Sequence, residues 1–397
     1  MVASGADHQT SGWPARLCVV FIYAVVVAGV TLPSPLYVAY QERWGLSTAA
    51  ITALYALYPV GILPVLLLAG HWADYIGRRK VILIGLSASS LSALALMLAN
   101  SLWLLATGRF LTGIASGFVV SAATAVLIEV FPVERRRFAS VLSTVTNQLG
   151  VGLGALASGF LVQYAWQPSR LVFALHLIAL IAAALCLPFV PETVRQTRRL
   201  SLELRPLHVP SDHRQEFLSA SLAAFSAFAL CGLLAALSPS ITRDQLGSQS
   251  ELLAGFAIFI VFGASAVSQV FWVRLNDVPV ALTGLGLLVL SLTVMTWGLH
   301  RGSTVLFILA VTTGGAAVGA IFMSSLAIVS RISSDAKRGG TISTYFAITF
   351  AGLALPVVGT GVAADRLTQF HATALFAFTI SLLASLAGVL VVAGRRP

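Results

Sequence analysis

The sequence predicts an all-α integral membrane protein, with twelve transmembrane helices in two pseudo-symmetric six-helix bundles. Composition is the first ground. Hydrophobic residues fill 58% of the 397 positions and charged residues only 10%, where a soluble domain carries about 25% charged residues. Patterning is the second. The charges cluster, leaving apolar runs of about 20 residues, the length a helix needs to cross the hydrocarbon core. Backbone amides find no water in that core, so the runs must be helical. The third ground is a single long polar connection, 193–214, with six runs on each side.

Taken in order, the spans are expected at 16–39, 47–69, 79–99, 102–127, 137–163 and 169–190. The second set is expected at 215–238, 251–273, 279–299, 303–328, 338–362 and 370–393. The domains follow: an N-terminal bundle 1–192, a cytoplasmic interdomain loop 193–214 and a C-terminal bundle 215–397. Pro33 and Pro35 should interrupt the first span near its outer end, since proline lacks the amide a helix needs. That first run is too long for a signal-peptide core and no small-residue cleavage site follows, so it is expected to remain as a span.

Alternate connections carry Arg78, Arg79, Lys80, Arg135, Arg136, Arg137, Arg195, Arg198, Arg199, Arg205, Arg214, Arg274, Arg331, Lys337 and Arg338. With Arg16, Arg395 and Arg396, about 18 basic residues lie on the side of the termini and about five on the other. Positive charge marks the cytoplasmic side. A multi-pass protein of the inner (plasma) membrane with cytoplasmic termini is expected. The halves also look alike at an offset of 200 residues: 137–144 against 337–344, Gly152 and Gly159 against Gly352 and Gly359, Trp72 against Trp272. Parallel repeats of this kind place a substrate site near mid-membrane, where the halves meet.

The formal charge of +10 does not indicate a nucleic-acid partner, because the basic residues sit in short loops where they set topology. Cys18, Cys186 and Cys231 lie singly inside apolar runs and show neither a metal spacing nor a disulfide framework. No metal, no cofactor and no enzymatic activity are expected. No span pairs a nucleophile with a base, and no phosphate-binding loop is present. The expected partners are the lipid bilayer, a small-molecule substrate and, as a candidate, protons; the chain is expected to act as a monomer.

The sharpest local signal is Gly70-His-Trp-Ala-Asp74-Tyr-Ile-Gly77-Arg78-Arg79-Lys80, a tight reverse between spans two and three. Its pattern resembles the signature loop of the major facilitator superfamily. Arg109 with Gly113 and Gly117 resembles that family's fourth-span motif. Glu129-Val-Phe-Pro132-Val-Glu-Arg135 resembles the loop after it, and Pro191-Glu192-Thr193 the exit of its sixth span. The resemblance covers essentially the whole chain and implies a secondary transporter working by alternating access. It also implies a latch of Gly70, Asp74, Gly77, Arg78 and Arg79. In the outward-facing state Asp74 would sit at the amino-terminal end of span eleven, near Arg338 to Thr341. A carboxylate there is favoured by the helix dipole and the free amides. The matching loop, Arg274-Leu-Asn-Asp277-Val-Pro279, lacks the glycines and the basic run, so its latch should be weak.

Arg109 is the only charge placed well inside a span, roughly 10 Å from its outer end. Either it snorkels to the interface, or it faces the interior and is functional there. The resemblance links Arg109, grouped with Glu129, to proton coupling or to a substrate's charge. No carboxylate lies in the middle of a span, so coupling to protons is favoured by the resemblance and not by the residues. His176 reads as a hydrogen-bonded core residue.

By the resemblance, spans one, four, seven and ten line the cavity. That assigns to it Tyr23, Thr31, Ser34, Tyr37, Thr112, Ser116, Phe225, Ser226, Thr312 and Thr313. Asn147, Gln148 and Gln269 join them or bond between helices. Gly113, Gly150 and Gly154 are expected at close helix contacts. So apolar a cavity, with one cation and scattered hydroxyls, suits an amphipathic or anionic organic molecule better than a sugar. The expected activity is drug-like efflux in exchange for protons. The alternative is import of a small organic acid, with Arg109 on its carboxylate.

Overall fold

The computed structural model describes residues 12–69, 72–194, 207–334 and 337–394; Gly70 and residues 195–206 of the expected interdomain loop lie outside them. Eleven helices among the described residues are long and apolar enough to cross a membrane. They are Thr48–Leu67, Arg78–Met97, Leu102–Glu129, Val133–Tyr164 and Pro168–Phe189, here spans two to six. Spans seven to twelve are Arg214–Asp244, Glu251–Trp272, Asp277–His300, Thr304–Ile332, Arg338–Arg366 and Gln369–Ala393. Span one is broken. Its helix Trp13–Ala28 gives way to a tight turn at Ser34–Leu36 and a short helix Tyr37–Trp44. Pro33 and Pro35 lack amide donors and each restricts the residue before it, and the tight three-residue turns that lead into them already start at Gly29.

Local chemistry distinguishes the two faces. Spans two, four, eight, ten and twelve start on the face opposite the termini, called here the far face. Each opens on a hydroxyl cap: Ser47, Ser101, Ser250, Ser303 and Thr368 accept an amide from the first turn. Such a cap is worth about 1 kcal/mol. Spans three, five, seven and eleven start on the terminal face beside arginines and lack a side-chain cap from the preceding residue.

Spans one to six pack on one another, as do seven to twelve, and the two groups meet along spans five and eight and spans two and eleven. Small residues allow the closest contacts. A Cβ on Gly154 would collide with the Ala28 carbonyl, one on Gly113 with the Tyr58 carbonyl, and one on Gly150 would press on Val27 and Ala24. The core is one apolar cluster through the middle and far side, containing Tyr37, Tyr55, Leu234 and Val357 from both groups. Toward the terminal face it divides. One part, around Val81, Val119 and Leu180, belongs to the first group and is touched by Phe262; the other, around Phe217, Ile328 and Tyr345, belongs to the second. The two groups thus form a wedge, sharing a core on the far side and still touching on the terminal side, where Arg137 of span five donates to the Val273 carbonyl at the end of span eight.

Candidate functional site

The break in span one is held from three sides. Gly29, Val30, Thr31 and Leu32 leave carbonyls and hydroxyls that a continuous helix would have satisfied or oriented outward. Arg109 of span four donates from Nη1 to the Val30 carbonyl at 2.7 Å. From span five, Val151 offers its carbonyl to the Thr31 hydroxyl, and Ser158 donates to the Leu32 carbonyl at 2.6 Å. His176 of span six stands against Gly29, where a Cβ would lie 2.8 Å from its Nε2. Arg109 is fully buried, so it does not snorkel. The Tyr55 and Tyr58 rings lie 5.5 and 5.7 Å from its guanidinium. Such contacts partly offset the desolvation of a cation. Among the described residues its Nε and Nη2 have no hydrogen-bond partner, and neither do the buried hydroxyls of Ser34, Tyr37 and Tyr40.

The terminal face carries an ionic network inside the first group. Arg78 bonds Asp74 at 2.7 Å and Glu129 at 2.9 Å. Thr193 donates to Glu129 as well. Glu192 accepts the Arg78 and Arg79 amides at 2.9 and 3.1 Å, so it caps span three. Gly77 precedes that cap with φ 99° and ψ 149°, a region open essentially to glycine. A Cβ there would also press within 2.6 Å of the Glu192 carboxylate. Gly77→Ala is expected to cost about 2 kcal/mol, read as a lower melting temperature in detergent; an unchanged melt would remove this constraint.

The expected contact of Asp74 with Arg338 to Thr341 is not what this conformation holds. Asp74 is half-exposed and paired with Arg78. The expected contact would need a state closed on the terminal face, and here the groups are bonded across the far face. In the second group Asp277 pairs with Arg331 at 3.0 Å. This matches the Arg78–Glu129 pair in position, with its charges exchanged.

The far-face seam is closed by helix caps passed between groups. Asp365, in the last turn of span eleven, accepts the Thr48 and Ala49 amides of span two at 2.8 and 3.1 Å. Gln163, in the last turn of span five, accepts the Leu252 amide and the Ser250 hydroxyl of span eight at 3.0 and 2.7 Å. Each group's fifth helix thus caps the other's second helix. Arg243 and Glu42 add an ion pair across the same seam. Below it, Gln148 donates to Ser265 at 2.7 Å, joining spans five and eight near mid-helix.

Most residues expected to line a cavity are buried and committed elsewhere. Tyr23 accepts bonds from Thr124 and Asn147. Thr112 bonds Ser92 and the Gly108 carbonyl. Ser116 and Ser226 bond the carbonyl four residues back in their own helices. Thr312 and Thr313 do the same, and Thr312 shares an exposed face with Val305 and Leu309. Such hydroxyls satisfy themselves locally, which is why an apolar span tolerates them. Phe225 is half-buried, with its backbone against Gly352. Sequence reasoning missed its aromatic neighbours. Phe228 lies 5.5 Å from Phe322 and 6.2 Å from Phe350, and Phe346 lies 6.5 and 6.4 Å from the same two. These rings from spans seven, ten and eleven stand where the joined core gives way, since Phe346 touches both the joined cluster and the terminal-side one. The i, i+4 spacing of Phe346 and Phe350 was the available signal.

The model for the Major Facilitator Superfamily matches residues 19–264. A gallate transporter of Pseudomonas putida is 34% identical over 174 residues, 44% of this chain and 37% of that protein. The first relatives found are matched over less than half of their own length. The chloramphenicol resistance protein CraA of Acinetobacter baumannii is 25% identical over 401 residues, 96% of this chain and 91% of that one. Among solved structures, a POT family transporter in complex with 5-aminolevulinic acid superposes with a TM-score of 0.76 at 15% identity, covering 98% of this chain and 99% of that one.

Proposed function

The chain belongs to the major facilitator superfamily, and on that premise we propose that it exports amphipathic or hydrophobic small molecules by alternating access, in exchange for protons. The carrying observation is the core, joined on the far face and divided on the terminal face beside the phenylalanine cluster. The terminal face, where the basic loops lie, is cytoplasmic. The wedge then opens to the cytoplasm and offers aromatic surface to an apolar solute, as a binding cleft does. Likeness to the resistance protein of A. baumannii over nearly the full chain supports the direction. Coupling has no mid-span carboxylate to use among the described residues: each lies at or near a helix end or in a connection, and of these Glu251, at the start of span eight, has its Oε2 buried without a partner. A proton route runs through end groups such as Glu42, Asp74 and Glu129, or through His176.

Everted vesicles with an acid interior test this reading. An amphipathic aromatic dye should accumulate inside and leave when the gradient is collapsed. Accumulation that ignores the gradient removes proton exchange, and no accumulation of any amphipathic probe removes export. The second reading is import of a small organic acid. A fully buried cation with no carboxylate partner among the described residues favours it, as does likeness to the gallate transporter.

A further inference from the structure

We propose that Arg109 is a clamp for the carboxylate of an aromatic organic anion, presented to solute when the far-face seam parts. This rests on the transporter reading above and names the substrate class of its site. Holding the broken span requires one donor, and Nη1 supplies it to Val30. A lysine would serve for that bond. What arginine adds is its side-on edge, where the Nε and Nη2 hydrogens run parallel and match the two oxygens of a carboxylate. Those are the two nitrogens left without a partner, in a side chain with no exposed surface. The polar atoms nearby repeat the preference. Tyr37 is near enough to feel the guanidinium charge and brings a phenolic donor, also without a partner. No described carboxylate lies at this depth, so no described residue provides an anion for the fork. Leaving a cation buried and unpaired is unfavourable, and an organic anion would offset that during each cycle.

The surroundings set the rest of the ligand. Tyr55 and Tyr58 offer ring faces beside the guanidinium, which suits an aromatic body held against the clamp. The guanidinium borders the seam between the groups: Tyr37 and Tyr55 pack in one cluster with Cys231 of span seven, and the Ser34–Leu36 turn rests on that same span. Parting the groups therefore uncovers the fork, while the sealed state keeps it dry.

The test compares 2-naphthoate with 2-naphthamide, one shape with and without the charge, on the full-length protein in detergent and in proteoliposomes. Wild type should bind and transport the carboxylate at least tenfold better than the amide. Arg109→Lys keeps the cation and a donor for Val30 but loses the fork, so its preference should fall to about twofold while its melting temperature holds. Tyr37→Phe should lower the preference by a smaller factor. Equal handling of both probes by wild type, or full preference in Arg109→Lys, overturns the clamp. So does displacement of naphthoate by chloride or nitrate without naphthoate transport, which would make this an inorganic-anion site. A neutral amphipathic dye separates the two levels: dye export without carboxylate preference sinks the clamp alone, and carboxylate preference without dye export sinks the export reading alone.

Discussion

Replacing Asp365 and Gln163 together with alanine is expected to open the far face and populate the state that seals the terminal one. Each side chain caps a helix of the opposite group, and losing such a cap costs about 1 kcal/mol. The two losses together are about 2 kcal/mol, about a thirtyfold change in the ratio of the two conformations. Both residues are exposed, so little of the effect should come from unfolding. Spin labels placed beyond the caps on spans two and eleven, and on spans five and eight, would read it as a shift to longer far-face distances. Asp365→Asn should give a smaller shift, because an amide oxygen still accepts one bond. Unchanged distances in the double variant would mean that the caps follow the closure and do not hold it.

The second large effect is expected at Arg78. Its side chain is nearly buried and bonds two carboxylates, while Glu192 caps the helix that it begins. Hydrogen bonds between charged groups contribute about 1.5–3 kcal/mol each, and the solvent exposure of Asp74 reduces its share. Arg78→Ala should therefore cost about 3 kcal/mol, seen as a melting temperature lower by many degrees and a poor yield of folded protein. Asp74→Asn should leave stability nearly unaltered but slow transport, if Asp74 moves to the start of span eleven when the terminal face closes. Normal transport and unaltered conformational distances in Asp74→Asn would end the latch role.

What could be read from sequence follows from the range of the physics. Apolar runs, loop charges and the prolines at 33 and 35 act within one turn or one span, so the twelve crossings and the broken first span were legible. The glycine at position 77 was legible as a turn, but its contact with Glu192 joins residues far apart in the chain. The caps at Asp365 and Gln163 were not legible, because Asp365 and Thr48 stand 317 residues apart and nothing local marks an acceptor for another helix. Hydroxyls misled for the opposite reason. A serine or threonine in a span looks like a cavity residue, yet Ser116, Ser226 and Thr312 bond their own helices. Arg109 was conspicuous by charge alone. Its full burial, its bond to Val30 and its unpaired edge required the fold.

Substrate is expected to cross because the far-face seam opens while the terminal face closes. Glu42 and Arg243 touch across that seam and are accessible, so Glu42→Cys with Arg243→Cys places two thiols where a short thiol-cleavable cross-linker joins them. The native Cys18, Cys186 and Cys231 would first be replaced by alanine. Cross-linked protein in proteoliposomes should transport nothing and regain its full rate once the linker is cleaved. Undiminished transport with the seam still linked would contradict the account.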